Sequence, residues 1–88
     1  MCTYVTLQER IDGSAKGPDG PWFHVTDAAV YVDHPVHATA DHTLNIDLTD
    51  PSRGPGARVA VELTRDSALR LCDAIDAALS SSAAGQYA

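Results

Sequence analysis

Apolar and polar residues alternate from Thr43 to Leu63 with a single interruption, and a capped helical pattern follows at once; this block constrains the fold more than any other. Leu44, Ile46 and Leu48 take one parity, and Thr43, Asn45, Asp47 and Thr49 the other, the pattern of a half-buried strand. Asp50-Pro51-Ser52-Arg53-Gly54-Pro55-Gly56 is a turn, because its prolines preset φ and its glycines accept conformations other residues avoid. Arg58 to Leu63 alternates again, with Val59, Val61 and Leu63 inward and Arg58, Ala60 and Glu62 outward, so the two strands form a hairpin. Thr64 is then placed to cap a helix over 65–80, with an apolar stripe of Ala68, Leu71, Cys72, Ile75, Ala78 and Leu79. Cys72 is expected in the core on this basis. Asp66 lies in the first turn, where the helix dipole favours an acid, and is spaced to pair with Arg70.

The first half is less regular. Residues 2–11 read as a strand, and glycine and proline punctuate 13–21 as a loop. Trp22 to Val25 begins a second strand that Ala28 to Asp33 continues or replaces. The parity of Phe23 and Val25 conflicts with that of Val30 and Val32, which predicts a bulge or tight turn near Thr26 and Asp27. The expected fold class is α+β: an antiparallel sheet of four to five strands with one C-terminal helix packed on one face.

Eighty-eight residues make one domain, expected over 1–80, with 81–88 as a loose tail. A chain this short has a thin core and gains from a metal ion or a second subunit. Twelve acids against six bases give a net charge of −6. Phosphate backbones and anionic membranes repel such a surface, so neither nucleic acid nor membrane is an expected partner. Cys2 and Cys72 stand seventy residues apart, and no leader-like stretch opens the chain, which reads as a reduced, cytoplasmic protein. The Gly13 to Gly20 segment contains Lys16 but lacks the Gly-Lys-Ser/Thr order of a phosphate loop. Trp22 and Phe23 are expected as core or interface anchors.

Most of the residues suited to chemistry lie between Tyr31 and His42, which holds three of the four histidines. His34, His37 and His42, with Asp33 as fourth ligand or imidazole-orienting group, are the candidate metal set. Neutral imidazoles suit a divalent ion: zinc first, otherwise copper, nickel or iron. If such a site were catalytic, Tyr31 or Asp41 would move the proton. On the sheet face away from the helix, Tyr31, Asn45, Asp47 and Glu62 are the candidate small-ligand residues, with Tyr4 nearby in the pattern.

Met1-Cys2-Thr3-Tyr4, Gly13 to Gly17, Tyr31-Val32-Asp33-His34-Pro35-Val36-His37, His42 to Asp47 and Gly54 to Leu63 together resemble a family of small uncharacterised bacterial proteins, a domain of unknown function. The Asp-His-Pro-Val-His stretch is the most specific part. His24 falls outside these blocks. The resemblance implies a grouping and no activity. Three readings follow from the residues: a divalent-metal or small-ligand binding protein using its His-rich loop, a metal-free small-molecule isomerase or cyclase on the open sheet face, or a non-enzymatic dimeric interaction module. A homodimer formed through the sheet is expected with each.

Overall fold

A computed structural model describes residues 6–34 and 42–81. Four strands form one antiparallel sheet in sequence order: β1 (Thr6–Ala15), β2 (Phe23–Asp33), β3 (Thr43–Thr49) and β4 (Arg58–Leu63). Helix α1 (Arg65–Leu79) follows β4 directly. The protein is therefore α+β, with four strands. No helix among the described residues is long and apolar enough to cross a membrane.

The hairpin and the helix start fall where local chemistry puts them. Asp50 caps a single 3-10 turn (Pro51–Arg53), accepting from the Ser52 backbone N–H at 3.1 Å and the Ser52 hydroxyl at 2.7 Å. Its own N–H donates to the Ala57 carbonyl at 3.1 Å, closing the connection between β3 and β4. Gly54 ends the turn at φ 90° and ψ 177°, a region open almost only to glycine. Thr64 caps α1 by accepting from the Ser67 N–H at 3.2 Å. Asp66 occupies the first turn, but Arg70 reaches the Ser67 hydroxyl at 3.4 Å rather than the acid.

Two expectations about the first half need correction. β1 continues to Ala15, so Gly13 to Ala15 are strand and not loop. The irregularity lies in β1: Arg10 pairs with Asp27 and Gly13 with Val25, so Ile11 and Asp12 oppose Thr26 alone. β2 itself runs unbroken, so Phe23 and Val25 share a face with Asp27, Ala29 and Tyr31. That parity conflict reflects apolar residues on both faces at opposite ends of one long strand. Val25 and Ala57 are buried, and Phe23 lines one surface depression with Arg53, Gly56 and Ala57, which places the β3–β4 connection at that end.

Register assigns the two faces. Leu7, Val30, Ile46 and Val61 stand in one row, with Val32, Leu44 and Leu63 in the next, making the apolar face. Tyr31, Asn45 and Glu62 form a row on the other face, and Ala29, Asp47 and Ala60 the row beside it. The helix meets the apolar face through its first two turns: Ala68 is buried, and Ala68, Leu69 and Cys72 line a groove with Val30, Val32 and Leu44. Beyond that the stripe is uncovered, with Leu71, Ile75 and Leu79 all exposed. Cys72 is likewise exposed, contrary to the expected core position, because the sheet covers only the start of the stripe. Trp22 is 67% exposed and so is no core residue among the described residues.

Candidate functional site

The polar face carries a hollow of about 160 Å³ beside the start of the β2–β3 connection. Its shape follows from side-chain sizes in register. Ala29 and Ala60 flank Asp47 directly, and such small neighbours leave space above the carboxylate. Tyr31 and Arg58 lie diagonally from Asp47 on the two adjoining strands, within reach of long side chains. The Tyr31 hydroxyl donates to Asp47 Oδ2 at 3.1 Å, and Arg58 Nη2 donates to Asp47 Oδ1 at 3.0 Å. One carboxylate thus ties β2, β3 and β4 together. In the next row the Thr43 hydroxyl donates to Asn45 Oδ1 at 2.6 Å, with both residues buried. The Asn45 side chain also hydrogen-bonds the Tyr31 hydroxyl, which joins the two rows into one network.

The hollow is lined by Tyr31, Asn45, Asp47 and Glu62, together with Asp33, His34 and Arg58. All four small-ligand residues picked from strand parity therefore meet in one place. Arg58 was missed there, although it shares the outward parity of Glu62 and could have been found by counting the hairpin register back to Asp47. The lining holds three carboxylates against one guanidinium, so its field favours a cation or a neutral hydrogen-bond donor over an anion. Burial pushes the Tyr31 hydroxyl above its ordinary pKa of 10.0, reinforced by the hydrogen bond to Asp47 and that group's charge and partly offset by Asn45 and Arg58. At neutral pH Tyr31 is a phenol that donates a hydrogen bond, and it is poorly matched to proton transfer.

The histidine set is only partly described. His34 and His42 stand at the two ends of the connection with ring centroids 4.6 Å apart and planes tilted by 31°. The Asp33 carboxylate accepts the His34 backbone N–H at 2.7 Å, an orienting contact to the main chain rather than the ring. His37 and Asp41 lie outside the described residues, as do Cys2 and Tyr4. Among the described residues, no three of His, Cys, Asp and Glu stand close enough to hold one metal ion. His24 is elsewhere, its Nε2 2.7 Å from Asp12 Oδ1 beside the β1 irregularity.

These features define a class: a small antiparallel α+β domain with a polar hollow on one sheet face and a half-covered apolar face on the other. The whole chain, residues 1–88, matches the model of a family described as "Family of unknown function (DUF6295)", and the protein belongs to that family. No curated protein and no solved structure matches the chain.

Proposed function

We propose that the protein binds a small cationic or hydrogen-bond-donating ligand at the polar hollow, with a divalent metal ion held by the adjoining histidines as the simplest such ligand. One observation carries this reading: His34, from the histidine segment, lines the same hollow as Tyr31, Asn45, Asp47 and Glu62, while its ring lies against that of His42. Asp33 and Glu62 supply the attraction, with Asp47 already paired to Arg58, and the Tyr31–Asp47–Asn45 network gives the hollow a fixed polar wall. The volume suits a ligand of a few heavy atoms and is well below the ~300 Å³ at which drug-sized pockets begin. His37 and Asp33 complete the proposed metal set, with zinc preferred over copper, nickel and iron for neutral imidazoles.

Calorimetric titration of tag-free protein with zinc, copper, nickel and ferrous iron tests the metal. Saturable one-to-one binding, lost in His42→Ala and His37→Ala, is the expected result. No binding by any of the four ends the metal part. A thermal-shift series with small amines and neutral polyols then tests the hollow itself, since a ligand that binds only the folded chain raises its midpoint. A metal-free isomerase or cyclase using Tyr31, Asp47 and Glu62 on this face is the second reading, with the Tyr31 proton held in its hydrogen bond to Asp47 and not free for transfer.

A further inference from the structure

The β1–β2 hairpin closes at the end of β2 away from His34. Ala15 and Phe23 pair as its last rung, and residues 16–22 form the loop between them. That loop and the β3–β4 connection wall an open depression of about 430 Å³. Its lining is of two kinds. Pro18, Pro21, Phe23 and Ala57 are apolar, whereas Arg53 and Arg58 bring guanidinium groups. Gly17, Gly20 and Gly56 add main chain that no side chain screens. None of the N–H groups of the 16–22 loop donates to another main-chain group among the described residues, so they remain open to an acceptor from outside.

The charges here run opposite to those of the polar hollow. Two guanidiniums stand against one carboxylate, that of Asp19, on a chain whose net charge is −6. Arg58 gives one nitrogen to Asp47 at 3.0 Å and keeps further donors, since a guanidinium carries five N–H groups. Arg53 pairs with no acid among the described residues. The reason is local: Asp50, the nearest acid in the chain, is buried and already accepts the Ser52 N–H and hydroxyl. The Arg53 main chain is nevertheless fixed, because its own N–H donates to the Asp50 carbonyl at 3.0 Å and the 3-10 turn ends on Gly54. An unpaired guanidinium on a fixed turn is a ready fork for a planar or tetrahedral oxyanion. The volume exceeds what a bare oxyanion fills and reaches the ~300 Å³ at which organic ligands are held, and Phe23 and the two prolines supply a surface for an apolar body.

We infer that this depression is a second ligand site, one for a small organic oxyanion: a carboxylate or phosphate head on Arg53 and Arg58, with a short aromatic or branched body against Phe23 and Pro21. It is separate from the polar hollow and does not depend on a metal. Trp22, the single tryptophan of the chain, adjoins the lining and is exposed, so its emission reports on the loop. Benzoate, phenyl phosphate, inorganic phosphate and neutral benzyl alcohol are titrated against the full chain at low salt, following Trp22 emission and the melting midpoint. Benzoate or phenyl phosphate saturates both signals at about millimolar concentration, and which of the two binds more tightly identifies the head group. Inorganic phosphate and benzyl alcohol each bind more weakly than the better of those two. Arg53→Ala weakens that binding about tenfold or more, the loss of one charge-assisted pair. Asp19→Asn tightens it roughly twofold, and Arg70→Ala on the helix leaves it unchanged. Arg53 and Asp19 are both exposed, so neither change threatens the fold. Absence of saturable binding by both benzoate and phenyl phosphate overturns the proposal. So does binding that Arg53→Ala leaves intact, or benzyl alcohol binding as tightly as benzoate.

Discussion

Replacing Tyr31 by Phe removes one oxygen atom and tests whether the polar face is a built network. That oxygen donates to Asp47 Oδ2 at 3.1 Å, on a carboxylate only 19% exposed, so the acceptor is largely cut off from water. Hydrogen bonds to charged groups contribute about 1.5–3 kcal/mol when buried. Tyr31 is half-buried, and Arg58 still satisfies the other Asp47 oxygen, so the expected loss falls below that range, at about 1 kcal/mol. For a domain of this size that lowers the melting temperature by about 4–8 °C. Alkaline pH gives a second, independent readout. The folded chain keeps the Tyr31 proton at pH values where the unfolded chain has lost it, so this group's stabilisation is complete below pH 10.0 and declines as pH rises through the folded value. Urea unfolding from pH 7 upward, at fixed protein concentration, should therefore show wild type and Tyr31→Phe converging above pH 10. A variant within about 0.3 kcal/mol of wild type at pH 7, with a parallel alkaline profile, refutes the network, since the donor to a largely water-excluded carboxylate cannot be removed without cost.

The other predictions concern single local features. Asp50→Ala loses both Ser52 contacts at a buried position and should cost about 1–2 kcal/mol in chemical denaturation, whereas Asp50→Asn should recover most of it. Gly54→Ala forces a side chain into φ 90° and should destabilise by about 1–3 kcal/mol although no atom crowds the site, so a neutral result would refute the backbone argument. Thr64→Ala removes the helix cap and should cost about 1 kcal/mol, while Thr64→Ser stays within a few tenths. If His34 and His42 share a zinc ion, His42→Ala lowers affinity at least tenfold, and acidification weakens wild-type binding because a proton and the metal compete for the same imidazole nitrogen.

Local pattern carried much of this fold. Strands at 43–49 and 58–63, the turn between them and the Thr64 cap were legible because each depends on residues within a few positions: alternating side chains, prolines and glycines in the turn, a hydroxyl three residues before an N–H. Parity also gathered Tyr31, Asn45, Asp47 and Glu62 onto one face, since a pleated strand leaves no choice about which residues share a side. Pairing between strands was not legible. The bulge went to β1 rather than β2, and β1 ran on to Ala15, because the partner strand's hydrogen bonds decide how many residues face one another. Arg58 joined the hollow only when the register of three strands put it diagonally from Asp47.

The apolar stripe of α1 shows the limit most clearly. Its period was read correctly from the chain, but a period states only that one side of a helix avoids water, and says nothing of how far the covering surface extends. The sheet meets only the first two turns of the helix, which leaves Cys72, Ile75 and Leu79 exposed. Neighbours along the chain therefore set each element and the faces it presents. Only the folded arrangement decides which faces meet, because burial depends on atoms far apart in sequence arriving at the same place.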